Sequence, residues 1–149
     1  MHNKDIAIAD TSVLIAFEKI NLLSLLCATY DDLYLTRAVY NEFSNQLQDC
    51  FSIKEAPASL TSFLIYEMRL GLGESETIAL SHYMGIRALI DDLKARKVAL
   101  SLGCQISGSI GVLYRMEKEG VISSAYNKIV LLKNMGFHIS DKLLDKPSS

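Results

Sequence analysis

The sequence is short of the features that mark several protein classes. It has two prolines in 149 residues, Pro57 and Pro147, and no Pro/Gly/Ser-rich stretch, so nothing reads as an interdomain linker. It shows no repeat and no low-complexity segment, which excludes collagen, coiled coil and disordered chains. No apolar run approaches the ~20 residues of a membrane helix; the longest, Ile20 to Tyr30, is broken by Asn21, Ser24 and Thr29. Lys4 is followed by Asp5 and Asp10, which is not a signal-peptide pattern. Cysteine is scarce: Cys27, Cys50 and Cys104 are odd in number and widely spaced, with no C-x-x-C or Cys/His pairing to suggest zinc. Cys27 and Cys104 sit in apolar contexts and are expected to be buried free thiols, which fits a reducing cytoplasm. Charge of one sign is also lacking. Fifteen Lys+Arg against 17 Asp+Glu leave a net charge of −2. That excludes a uniformly basic nucleic-acid binder but not a local basic patch.

What is present is apolar and patterned. Half of the residues are hydrophobic, and the length suits a single domain with a real core. The expectation is one domain over residues 1–144 and a frayed tail over 145–149. Ile6–Ala9 reads as a short strand ending in Asp10. Val13, Leu14, Phe17 and Ile20 then recur at helical spacing. Leu22–Ala28 reads as a short helix, Leu33–Leu35 as a strand, and Arg37–Gln48 as a helix with Val39, Tyr40, Phe43 and Leu47 on its apolar side. Phe51 and Ile53 are strand-like, and Ser59–Met68 is helical. A Gly71-Leu72-Gly73 break precedes a helix opened by Glu74 and Glu76, acidic residues that suit a first turn, and closed by Gly85. Ala88–Ile90 is a further strand ending in Asp91-Asp92. A helix over Leu93–Leu102, a strand over Gln105–Ser107, a helix from about Ile110 to Glu119 and one capped by Ser123 complete the pattern. Short apolar strands alternating with amphipathic helices predict an α/β domain with a mainly parallel sheet.

Such sheets bind ligands beyond the carboxyl ends of their strands. Asp10 and Asp91-Asp92 both stand at strand ends. Glu74 and Glu76 lie in a helix first turn, and Glu42 lies midway along its helix beside the apolar side. Each has a plain structural explanation: Asp92 as an N-cap, Glu74 and Glu76 as partners of a helix dipole, Glu42 as a solvated residue. Converging carboxylates would repel and some would stay protonated. A hard divalent cation with oxygen ligands, Mg²⁺ or Mn²⁺, removes that conflict and serves phosphodiester chemistry. Thr11 or Ser12 would add a hydroxyl behind the ligands.

The ordered set Ile6-Ala7-Ile8-Ala9-Asp10-Thr11-Ser12, Ala38-Val39-Tyr40-Asn41-Glu42, Gly73-Glu74-Ser75-Glu76 and Ile90-Asp91-Asp92-Leu93-Lys94-Ala95-Arg96 resembles PIN-domain ribonucleases. The likeness runs to about Leu144 and is nearest the VapC-like toxin branch, which Gly108-Ser109-Ile110-Gly111-Val112-Leu113 also matches, with Ser109 where Thr is common. The resemblance implies a PIN-like three-layer α/β/α domain. It implies a Mg²⁺- or Mn²⁺-dependent endoribonuclease that hydrolyses RNA phosphodiesters by in-line attack of a metal-activated water. It implies metal ligation and catalysis by Asp10, Glu42, Glu74 and Asp92, with Glu76 and Asp91 as rivals, and support from Thr11, Ser12 and Ser109. It also implies an antitoxin protein partner and a homodimer. Where the family often has Pro before the Glu42 helix this chain has Thr36, expected to loosen that turn.

RNA needs cations beside an acidic pocket. Lys94, Arg96 and Lys97, with Lys94 and Lys97 on one helix face, and Arg37 and Arg115 are the candidates for phosphate contact; a solvated helix face explains each as well. Tyr40, Tyr66, Tyr83 and Tyr114 are expected at helix contacts, and Met68, Met84, Met116 and Met135 in core or interface gaps. A haloacid-dehalogenase-like phosphatase needs a second Asp where Ser12 stands, and a receiver domain fits the order poorly. The remaining alternative is a non-catalytic PIN-like nucleic-acid-binding or assembly module. The surplus of apolar residues suggests a partner surface.

Overall fold

In the computed structural model, residues 5–138 are described; His2 and the expected boundary at 144–145 lie outside them. The apolar runs form five short strands: β1 (Ile6–Ala9), β2 (Asp32–Thr36), β3 (Phe51–Lys54), β4 (Arg87–Leu89) and β5 (Ile106–Ser107). Their order across the sheet is β3-β2-β1-β4-β5, and every pairing is parallel. The helices are α1 (Thr11–Lys19), α2 (Leu23–Thr29), α3 (Arg37–Glu42), α4 (Ala58–Tyr66), α5 (Leu72–Met84), α6 (Leu93–Ser101), α7 (Ser109–Lys118) and α8 (Ala125–Asn134).

Both faces of the central strand β1 are covered, which is why Ile6-Ala7-Ile8-Ala9 is apolar throughout, whereas the edge strand β3, Phe51-Ser52-Ile53-Lys54, alternates with polar residues and is largely exposed. Side chains still point to opposite faces in turn. Ala7, Ala9, Leu33, Leu35 and Leu89 face a core with Val13, Leu14 and Phe17 of α1, Leu26 of α2, Leu113 and Met116 of α7 and Ile129 of α8. Ile8, Ala88 and Ile90 face the other core, with Leu64 of α4, Ile78 and Ala79 of α5 and Ala95 and Val98 of α6. The result is helix, sheet, helix in three layers. No single described helix is long and apolar enough to cross a membrane.

The chain leaves β1 for β2 and β3 on one side, then returns to place β4 and β5 on the other. The direction of winding therefore reverses between β1 and β4, and a crevice opens there at the carboxyl ends of the strands.

Several expectations change. Cys27 is not a free thiol but is disulfide-bonded to Cys50, whose Cα lies 5.8 Å away; Cys104 is the buried free cysteine among the described residues. The inference from free thiols to a reducing compartment loses its basis at Cys27. The helix expected over Arg37–Gln48 stops at Glu42. Phe43 leaves helical geometry with φ −90° and ψ 101° as its ring enters the core, and Ser44 and Asn45 are weak helix formers. Thr36 does not loosen its turn: it is fully buried and its Oγ1 accepts from the Val39 N–H at 3.4 Å, capping α3. The cap of α8 is Ser124, not Ser123. Tyr66 and Tyr83 are 77% and 75% exposed rather than packed, and Tyr40, Met84 and Met135 are exposed too.

Arg115 also has a different place from the one expected. Its guanidinium pairs with Asp5 and with Glu119, donates to the Thr29 carbonyl at 3.0 Å and stacks 4.5 Å from the Tyr30 ring centroid. Asp5 immediately precedes β1, so this cluster fastens the amino-terminal end of the sheet, opposite the crevice. Arg115→Ala is expected to lower stability by about 2 kcal/mol through lost stacking and hydrogen bonding while leaving Mn²⁺ binding unchanged. Urea unfolding and calorimetry on the same variant check both halves.

Candidate metal centre

The β1–β4 pairing builds the site first. Ala9 is in register with Leu89, and the Asp10 N–H donates to the Leu89 carbonyl at 3.0 Å. Asp10 and Asp91-Asp92 therefore leave the sheet at one level. An open-mouthed cavity of about 550 Å³ lies there, lined by Asp10, Thr11, Ser12, Ile15, Glu42, Gly71, Gly73, Glu74, Asp91 and Asp92.

Asp10 is 4% exposed. Burial pushes its carboxyl from the ordinary 3.8 up to about 7; the Thr11 backbone N–H opposes this, and the negative charges of Glu74, Glu42 and Asp91 add to it. Glu42, the last residue of α3, takes a hydrogen bond from the Thr11 hydroxyl on Oε1 at 2.6 Å. Glu74 accepts weakly from the Gly71 N–H at 3.3 Å. Burial raises its pKa, as do Asp92 and Glu42, against that N–H and Lys94.

The rival pairs are arranged differently. Glu76 is absent from the cavity lining; its Oε1 accepts from the Ala38 N–H at 3.0 Å, satisfying an orphan donor in the first turn of α3. Asp91 and Asp92 both line the cavity. Asp91 accepts on both oxygens, from the Ser109 N–H at 2.7 Å and the Ser109 hydroxyl at 2.6 Å. Asp92 caps α6 through Oδ2, which accepts from the Ala95 N–H at 2.9 Å. Ser109 thus holds Asp91 and lies behind the cavity wall.

Among the cations, Arg96 is committed to structure: its guanidinium donates to the Ile90 carbonyl at 3.0 Å. Lys94 reaches the Arg69 carbonyl at 3.3 Å. Lys97 is exposed, and Arg37 is exposed with its guanidinium 5.7 Å from the Tyr40 ring centroid.

Two glycines quoted in the motifs have a structural role that the sequence did not announce. A Cβ on Gly73 would collide with the Glu42 carboxylate, and one on Gly108 would meet Asp91 Oδ1 and the Arg96 guanidinium. Only close backbone approach explains them, and no local pattern announces it.

The donor set suits a hard cation. It consists of carboxylate and hydroxyl oxygens, with neither His nor Cys in the lining. The Ser12 Oγ is buried with no hydrogen-bond partner among the described residues, a group that a hydrated ion would satisfy. Among the described residues no three acidic, His or Cys side chains already converge at ligation distance. The carboxylates stand around the cavity wall, as like charges do. The donor chemistry therefore fits Mg²⁺ or Mn²⁺, with Asp10, Glu42, Glu74, Asp91 and Asp92 all lining the space.

A family model described as a PIN domain matches residues 6–147. This chain belongs to the PIN-domain family. The match covers nearly the whole sequence and accords with the parallel five-stranded sheet between two helix layers. PIN domains are typically nucleases and generally use divalent metals. A search of curated proteins gave no match.

Two outcomes follow from this PIN-domain site. Asp10 keeps its proton in the fold while the unfolded chain has lost it, so its contribution to stability declines as pH rises from about 4 to about 7. Without divalent metal, Asp10→Asn is expected to be more stable than the parent at about pH 8 by on the order of 3 kcal/mol, with the advantage vanishing below about pH 4; urea titrations across pH measure it. Gly73→Ala gains helix propensity, about 1 kcal/mol in a helix interior, and displaces only the flexible end of Glu42. It is expected to keep the melting temperature and to weaken Mn²⁺ binding at least tenfold by calorimetry.

Proposed function

We propose that the chain is a Mg²⁺- or Mn²⁺-dependent endoribonuclease. The observation that carries this reading is Asp10: a buried carboxyl, raised to about 7 by desolvation and by three acidic neighbours, at the winding reversal of a PIN-domain sheet. Nothing in the fold of a mere scaffold calls for such a cluster, and a divalent cation makes it favourable.

In this reading Asp10, Glu42, Glu74 and Asp92 hold the metal. Asp91 is the positioning residue, because Ser109 engages both of its oxygens. Glu76 is assigned to the α3 terminus it already satisfies. When bound, the ion supplies charge neutralisation at the phosphodiester and makes water more acidic. The protein supplies the rest. Thr11 fixes the Glu42 carboxylate through its hydroxyl, Ser12 offers its unpartnered oxygen to water in the cavity, and Lys94 moderates the negative charge at Glu74. Lys97 and Arg37 are exposed and are assigned to RNA phosphates. Arg96 serves the wall instead, since it anchors to Ile90 beside Gly108.

The finer role we assign, the toxin of a toxin–antitoxin pair that acts as a homodimer, rests on the VapC-like motif order. It also rests on exposed apolar side chains on α4 and α5, notably Phe63, Tyr66 and Tyr83, which suit a partner.

RNA cleavage in Mn²⁺ is expected to stop with EDTA and to fall at least 100-fold in Asp10→Asn and in Asp92→Asn, with a smaller loss in Glu76→Gln. Activity that survives both EDTA and Asp10→Asn would belong to a contaminating nuclease. A parent protein that binds no Mn²⁺ by calorimetry and cuts no RNA would be the non-catalytic module instead.

A further inference from the structure

The disulfide has no part in the chemistry above, yet its position ties it to the site. Cys27 lies on α2, and Cys50 lies in the turn just before β3, 23 residues on. Residues 43–50 join α3 to β3 without regular secondary structure. They begin at the residue after Glu42. Residues 44–46 and 48–49 are exposed. Apart from the bridge, the segment is held by the Phe43 and Leu47 side chains against the core and by few backbone bonds. Outside the sheet ladder, and among the described residues, these include Phe43 N–H to the Val39 carbonyl at 2.9 Å and Phe51 N–H to the Gln48 carbonyl at 3.2 Å.

Glu42 is the last helical residue of α3, a helix of only six residues. Helix ends fray unless the following chain is fixed. The Glu42 carboxylate must stay between the Thr11 hydroxyl and the Gly73 backbone, so the anchoring of residues 43–50 bears on the acidic cavity. Cys27 and Cys50 are both half-buried, hence reachable, whereas Cys104 is buried in the opposite core. Access is what separates exchangeable from inert cysteines.

We propose that Cys27–Cys50 is a thiol–disulfide exchange site that sets how firmly Glu42 is held, with the bridged form competent and the dithiol form weakened. The reacting partner is a low-molecular-weight thiol/disulfide couple of the glutathione type. A thiolate attacks one sulfur of the bridge and expels the other as a thiolate, which takes up a proton. A second thiol then attacks the mixed disulfide. The protein disulfide gains two electrons and two protons, and two small thiols become one small disulfide; oxidation runs the same steps in reverse. The functional consequence rests on the reading of Glu42 as a metal ligand, while the structural coupling does not.

The test compares bridged protein, protein reduced with a phosphine and then freed of it, and the Cys27→Ser/Cys50→Ser double variant. Hydrogen exchange of residues 41–50 and Mn²⁺ titration by calorimetry are read on all three, with circular dichroism confirming folding. Free-thiol titration is expected to give one thiol before reduction and three after. Reduced protein and double variant are expected to exchange faster over residues 41–50 and to bind Mn²⁺ about tenfold more weakly. Incubation with oxidised glutathione is expected to restore the parent and not the variant. Three free thiols after oxidised glutathione, or identical exchange at residues 41–50 in bridged and reduced protein, would overturn the proposal. Slower exchange in the bridged form with Mn²⁺ bound by neither would support the coupling and sink the metal reading of the site instead.

Discussion

The hydrogen bond from the Asp10 N–H to the Leu89 carbonyl is the contact on which the functional half of the molecule depends. It extends the β1–β4 ladder one step past the last apolar residue of β1. It thereby forces a carboxyl group to begin where two helix layers and a sheet meet. A side chain placed there is dehydrated before any neighbour is considered, and the other acidic residues then deepen the effect. The neighbours arrive from three directions: the end of α3, the start of α5 and the β4–α6 turn. Each is held by ordinary helix-end bonds: Thr36 caps α3, Glu74 accepts from the Gly71 N–H at the start of α5, and Asp92 accepts from the Ala95 N–H at the start of α6. The fold thus uses ordinary capping to hold like charges together at a cost in stability, a familiar exchange between stability and activity.

Much of this was legible in the sequence because it is local. Apolar runs that end in acid mark Asp10 and Asp91-Asp92, and a parallel sheet brings such ends to one edge. The five strands fell close to their expected places, since buried strands need continuous apolar residues. The parallel α/β sheet followed from the alternation of those runs with amphipathic helices, and the three-layer arrangement from the PIN-domain resemblance.

The unread parts depend on contacts between distant residues. Glu74 and Glu76 stand two positions apart in one helix first turn, and composition cannot rank them. What separates them in space is the Ala38 N–H, which comes from another helix and engages Glu76. The pairing of Cys27 with Cys50 depends on how the segment after α3 folds back over α2, and periodicity over Arg37–Gln48 suggested a continuous helix there instead. Leu47 does reach the core, as its helical spacing suggested, but from a loop. Gly73 looked like a helix breaker and is in fact inside a helix, with the Glu42 carboxylate lying where its side chain would be.

The strand order has a consequence for when the site comes into being. The sheet places β1 beside β4, yet two strands and five helices are made between them on the ribosome. Until β4 has been synthesised and has docked on the open edge of β1, Asp10 has no Leu89 carbonyl to hold it and Asp92 has no place beside it. A nascent chain carrying only the first three strands therefore holds dispersed, hydrated carboxylates of ordinary acidity. The acidic centre is assembled at a late step that closes a long loop, so the emerging polypeptide has no such centre while most of it is still being made.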